Sequence, residues 1–227
     1  MAPLNLIAVN YTAKPGSLTL SAPCKTDIVG ARTTGPQFQF NPPILKVAMP
    51  AASFQRARVT VVGPSGFPFD FDQAGLLFLR PHTALPEPSA SEPGNAETKP
   101  SFAKIALETF EQKTFCTVSA SNQVDTEWSL WPGPPTTSPS EKTEVTFEIA
   151  KMGPMLLAFV MEGTGETATR TLFRVVSWAF RDVKESEPDI WVGLYASRPT
   201  TKNETTEALE VEFRDFEIET TEGIIKF

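Results

Sequence analysis

Two short segments hold most of the side chains able to do chemistry in this 227-residue chain. Asp70-Phe71-Asp72-Gln73-Ala74-Gly75 offers a carboxylate and an amide at Asp72 and Gln73, and Glu127-Trp128-Ser129-Leu130-Trp131 sets a carboxylate beside two indoles. An aromatic floor with a few polar groups around it is the usual form of a small-molecule site, and an indole face stacks on a sugar or another flat ring. Candidate ligand-binding residues are therefore Asp72, Gln73, Trp128 and Trp131, with Arg174 and Tyr195 as further polar contributors. If the chain is catalytic, one positioned acid is enough for proton transfer, and Asp72 and Glu127 are the candidates.

Other chemistry lacks raw material. His82 is the one histidine, which leaves no zinc set and no histidine-activated nucleophile. Acids at Asp70 and Asp72 with Gly75 imitate the opening of a calcium loop, but its twelfth position is Pro81. No Gly-x-Gly-x-x-Gly, phosphate loop or nucleophile elbow occurs. The expectation is a protein that works without a metal or a cofactor.

A formal charge of −7 and a pI of about 4.9 repel a phosphate backbone or an anionic membrane surface, so nucleic acid and membrane are not expected partners. No apolar run reaches the roughly 20 residues of a membrane span. The opening Met1-Ala2-Pro3-Leu4-Asn5-Leu6-Ile7 has no basic start and only a short, broken apolar run, which does not fit a secretion signal. The expected location is cytoplasmic, with Cys24 and Cys116 as reduced thiols. The acceptor-like Asn10-Tyr11-Thr12 and Asn203-Glu204-Thr205 then stay unmodified.

The elements that must position these residues are strands. Twenty-one prolines and thirteen glycines amid Val, Thr and Phe favour short strands joined by turns. Ala57, Val59 and Val61 alternate with Arg56, Arg58 and Thr60; Ala103, Ile105 and Leu107 with Lys104, Ala106 and Glu108; Val145, Phe147 and Ile149 with Glu144, Thr146 and Glu148. Each pattern predicts an antiparallel strand with one buried and one solvated face. Runs 76–79, 155–161 and 172–176 are apolar on both faces, as in central strands or strands lining a ligand cleft. Burying one face of each sheet requires a two-sheet sandwich, so the expected class is all-β, with one domain over residues 1–227. Proline-rich stretches at about 81–101 and 131–142 are expected to be irregular excursions, the first of them mobile.

The motif around Asp72 recurs in register with Glu127-Trp128-Ser129 and with Trp191-Val192-Gly193-Leu194-Tyr195-Ala196-Ser197-Arg198-Pro199-Thr200. A closing strand, Ala208-Leu209-Glu210-Val211-Glu212-Phe213-Arg214-Asp215-Phe216-Glu217-Ile218, completes the set. In order and spacing these segments resemble a concanavalin A-like family of largely unknown function, the one that includes the regulation-of-enolase protein. The resemblance spans roughly residues 20 to 219 and implies a jelly roll of two antiparallel sheets with a concave ligand face. It also invites comparison of Glu210-Val211-Glu212-Phe213-Arg214-Asp215 with the Glu-x-Asp-x-x-Glu strand of the fold's glycosidases. Here Asp and Glu are exchanged, and a solvated acidic face is the simpler reading. The expected function is binding of a small organic molecule or carbohydrate in a concave aromatic cleft. The alternatives are a cofactor-independent cyclase or isomerase acting in the same cleft, and a regulatory module with a protein partner. An unpaired edge strand could also support a homodimer.

Overall fold

The computed structural model describes residues 5–14, 16–29, 38–64, 67–133, 142–163, 168–199 and 205–227. Two seven-stranded sheets pack face to face. The front sheet runs β1 (Ile7–Val9), β5 (Ile44–Met49), β14 (Ile190–Ser197), β7 (Gln73–Arg80), β8 (Ser101–Phe110), β9 (Lys113–Ser121), β10 (Thr126–Pro132). The back sheet runs β13 (Thr169–Val176), β12 (Met155–Glu162), β11 (Thr143–Met152), β6 (Phe54–Gly63), β15 (Leu209–Thr220), β16 (Gly223–Lys226), with β2 (Thr19–Ala22) also paired to β15. A two-stranded ribbon, β3 (Ile28–Val29) and β4 (Gln39–Phe40), completes the described strands. Neighbouring strands of both sheets are antiparallel, in a concanavalin A-like jelly-roll sandwich.

The core between the sheets collects the apolar halves of the alternating strands. Ala57, Val59 and Val61 of β6 meet Phe147 and Ile149 of β11, and face Leu76 and Phe78 of β7 and Ile105 and Leu107 of β8. A second apolar cluster lies on the opposite face of the front sheet. There Ile28 of β3 and Phe40 of β4 cover Ile44, Leu77, Leu79, Phe102, Ala106, Trp191 and Tyr195. The middle of the front sheet is thus buried on both sides, which is why β7 and β14 are apolar apart from polar residues at their ends.

This second layer corrects the reading of β8. Its polar half was expected in solvent, yet Lys104 and Glu108 are only 4% and 3% exposed. The same holds for Glu148 of β11, which is fully buried beneath Arg56, Arg58 and Arg170 on the outer side of the back sheet. Period-two alternation reports that two faces differ, and cannot tell a solvated polar face from a buried ion-paired one. β13 departs in the other direction. It is an edge strand with Leu172 and Val175 exposed, where its apolar run predicted a covered strand.

Two glycines shape the front sheet. A Cβ on Gly75 would stand 1.9 Å from the Ile105 carbonyl oxygen, and one on Gly193 would stand 2.2 Å from that of Leu45. Close backbone approach thus accounts for the glycine at position 75, and it recurs one strand over at Gly193.

The two proline-rich stretches behave differently from each other. Residues 81–100 contain a single bridge, His82 with Leu85, and are tied to the fold: Leu85 and Pro88 are buried, and Ala90 N donates to Asn10 Oδ1 at 2.8 Å. In the other stretch, Trp131 and Pro132 pair with Cys116 and Phe115 as the end of β10 rather than opening a loop. The rest of that expected excursion, residues 134–141, lies outside the described residues, as do Thr200 and the acceptor-like Asn203.

Candidate functional site

Strand register decides which of the expected site residues can meet. On the face of the front sheet turned away from the core, one cross-strand row is Lys46, Gly193, Leu77, Lys104, Ser119, Trp128. Next along the strands comes Ile44, Tyr195, Gly75, Ala106, Thr117, Leu130, followed by Ser197, Gln73, Glu108, Phe115. The β3–β4 ribbon covers the middle of this face, so the open aromatic cleft expected from the sequence is largely filled by side chains. What remains is a pocket of about 170 Å³ near β10, lined by Asp27, Phe71, Gln73, Lys104, Glu108 and Trp128 among others. That is smaller than the roughly 300–1,000 Å³ of sites for drug-sized ligands, and suits a single ring or a terminal group.

The pocket's polar groups are held in a connected network. Lys104 Nζ donates to Asp27 Oδ1 at 2.7 Å, and that oxygen also accepts the Ile28 N–H at 2.7 Å. Trp128 Nε1 donates to Glu108 Oε2 at 3.1 Å, which orients the indole while leaving it 42% exposed. Phe110 packs edge-on against Trp128 at 5.1 Å, and Phe71 lies tilted at 6.2 Å. Phe71 sits at φ 68°, a conformation costly for a bulky residue, at the rim of the pocket. Tyr195 Oη donates to Gln73 Oε1 at 2.9 Å, and Gln73 Nε2 donates to the Phe71 carbonyl at 3.2 Å. Burial pushes the Tyr195 phenol well above its usual range and keeps it a proton donor.

Burial also raises the Glu108 carboxyl, against the lowering by Lys104, Thr117 and Trp128. The folded protein therefore holds this proton more tightly than the unfolded chain does. The associated stability is complete below the ordinary value of 4.5 and is lost as pH rises through the raised value. Glu108→Gln should therefore gain stability relative to the native protein as pH is taken from about 4 to about 8. Urea midpoints across that range test this, and a difference independent of pH would contradict it.

The other expected residues lie elsewhere. Asp72 is fully buried outside the pocket: Arg198 Nε donates to its Oδ1 at 3.0 Å and Nη2 to its Oδ2 at 2.8 Å, while the Phe69 N–H adds a bond of 3.3 Å. Burial raises this carboxyl in opposition to Arg198, and the geometry is that of an internal clamp joining the β7 entry to the β14 exit. Trp128 and Trp131 are three apart on one strand and so project from opposite faces, with Trp131 turned to the inter-sheet side at the sandwich edge. Glu127 shares that side and is ion-paired with Arg174 of the back sheet. The structure therefore brings Gln73, Tyr195 and Trp128 together, joins Glu127 to Arg174 away from them, and leaves Asp72 and Trp131 apart from both. The acidic run at Glu210 and Glu212 lies on the outer side of the back sheet, interrupted by a bulge where Asp215 takes φ 52°.

Asp27, Lys104 and Glu108 are the pocket residues that sequence reasoning missed. Lys104 and Glu108 are four apart on one strand and hence on one face, a visible signal, but an identical pattern marks any solvated strand. Among the described residues, no group of three or more His, Cys, Asp or Glu is placed to hold a metal ion.

Comparison with known proteins agrees with this architecture. The uncharacterized protein AN7484 of Emericella nidulans is 28% identical over 214 residues, covering 93% of this chain and 90% of its own. A functionally unknown protein from Saccharomyces cerevisiae superposes with a TM-score of 0.65 at 18% identity, over 95% of this chain and 96% of that one. A mutant of the GH43 protein BlXynB from Bacillus licheniformis reaches 0.53 at 13% identity over 94% of this chain, which spans 34% of its length. At these identities the structural likenesses establish the sandwich fold. The family model described as "Protein of unknown function (DUF1349)" matches residues 8–221, and the chain belongs to that family.

Proposed function

We propose that this protein binds a small polar organic molecule or one unit of a carbohydrate in the pocket formed by Gln73, Lys104, Glu108 and Trp128. The observation that carries the reading is the Trp128 indole, held by Glu108 yet half open beside polar groups that can meet hydroxyls. A fixed, partly exposed aromatic face next to a few converging donors and acceptors is how sugar rings and small flat molecules are commonly bound. The likeness in fold to the GH43 protein BlXynB supports a carbohydrate as the ligand class to try first. A reducing, cytoplasmic setting belongs to the same reading, supported by two free thiols, of which Cys116 is buried with its pKa pushed up to about 12.

A panel of saccharides and small metabolites should be titrated while indole fluorescence and heat are followed. Trp128→Ala is expected to weaken binding at least about tenfold, or about 1.4 kcal/mol. Trp131→Ala, on the other face, is expected to leave it unchanged. Equal effects from the two substitutions would count against the pocket.

A second reading is favoured by Glu108, a buried carboxyl with a raised pKa lining a pocket. Such a group is a candidate proton donor for a cofactor-independent cyclase or isomerase. In that case Glu108→Gln would abolish turnover while leaving ligand affinity within a few-fold; retention of turnover would exclude the acid role.

A further inference from the structure

The face bearing the pocket also carries a second buried lysine. Lys46 of β5 is 1% exposed, and its ammonium lies 3.4 Å from the centroid of the Trp191 ring. Its neighbours across the strands, Gly193 and then Leu77, offer no counter-charge. The partner comes from outside the sheet: Glu87, in the segment 81–100, reaches in and pairs with it.

The two lysines on this face differ in how their carboxylates are held. Asp27, the partner of Lys104, is 15% exposed and is also fixed by the Ile28 N–H, so it is built into the ribbon. Glu87 is 68% exposed and Lys46 is the only described partner of its carboxylate. The backbone around Glu87 is anchored by Leu85, Pro88 and the Ala90–Asn10 bond, so exchange of its carboxylate calls for movement of the side chain and not of the segment. Burial lowers the Lys46 pKa, while Glu87 and Asp189 favour the charged form, and Asp189 remains when Glu87 has swung away. An ammonium seated on a buried indole, with one mostly exposed carboxylate paired to it from outside the sheet, fits the carboxylate of a small acid in the place of Glu87.

We propose that the Lys46 ammonium is the binding point for the carboxylate of a small organic acid, such as a uronic acid, and that Glu87 is the internal occupant the ligand displaces. This site is separate from the Trp128 pocket and does not depend on it. The −7 net charge selects against polyanions and leaves a compact acid with a single carboxylate as the matching ligand.

Galacturonate and galactose, which differ in the carboxylate, are the probes, and calorimetry is the readout. Glu87→Gln is expected to bind galacturonate at least tenfold more tightly than the native protein, with galactose binding changed less than twofold. Adding Lys46→Met, which replaces the buried ammonium with an apolar chain of similar length, should abolish the gain; its folding is checked by the urea midpoint. No measurable galacturonate binding to Glu87→Gln, equal tightening of both probes, or a gain that survives Lys46→Met would each overturn the proposal. If Trp128→Ala leaves sugar binding untouched while the contrast between Glu87→Gln and Lys46→Met persists, the Trp128 pocket fails and the carboxylate site stands.

Discussion

Arg198→Met is expected to destabilise the protein by about 3–5 kcal/mol, the loss seen when one partner of a buried ion pair is removed. Arg198 and Asp72 are 3% and 0% exposed and share two hydrogen bonds in a fork, so removing the guanidinium strands a carboxylate with only the Phe69 N–H. The arginine side chain also donates to the Glu207 carbonyl at 2.6 Å, and its backbone bridges to Cys24, so this one residue joins three segments at one end of the sandwich. Asp72→Asn should likewise be strongly destabilising, because a neutral amide cannot replace the charge that Arg198 needs. That result would separate a structural role for Asp72 from a catalytic one, in which turnover would fall without loss of stability. The double change Asp72→Leu with Arg198→Met should recover part of the loss, since an apolar pair leaves no unpaired charge. Urea denaturation measures all three, and a loss under about 1 kcal/mol for Arg198→Met would remove the clamp from the account.

Gly75→Ala and Gly193→Ala should each destabilise by at least about 3 kcal/mol, the upper end of what forced packing produces. The new methyl groups would lie 1.9 and 2.2 Å from carbonyl oxygens of the neighbouring strands, and backbone cannot yield as a side-chain tip can. Neither glycine has a positive φ, so the penalty is steric. Gly153 supplies the contrast: a Cβ there meets nothing within 4 Å, but its φ of 57° is left-handed. Gly153→Ala should therefore cost about 1–2 kcal/mol from backbone conformation alone. Thermal unfolding of the three variants tests the ranking. Loss at Gly75 no larger than at Gly153 would mean that β7 and β8 can separate to admit a methyl group.

The fold was legible because it rests on local repetition. Ala57, Val59 and Val61 against Arg56, Arg58 and Thr60 state a half-apolar strand, and enough such strands leave a sandwich as the way to bury them. The family resemblance added the order of the strands. Part of the pocket was legible too, since Trp128, Gln73 and Tyr195 were chosen for their chemistry and share one face. The pairing of Asp72 with Arg198 was not, because the partners are 126 positions apart and nothing local distinguishes a clamped acid from a free one. Trp128 and Trp131 show a subtler limit. Adjacent in a loop they could act together, but once the chain is known to be extended there, their odd spacing sends them to opposite faces.

The sequence by itself determined which strands form and which half of each is apolar, because side-chain alternation and turn residues act within a few positions of one another. Only the tertiary structure decided what each polar half meets. Lys104 and Glu108 read as solvated until the ribbon carrying Ile28 and Phe40 covers their face, and nothing local marks Lys46 as a buried lysine set on Trp191 and paired with Glu87. Burial and charge pairing depend on groups brought together from distant parts of the chain, and these contacts made the candidate sites.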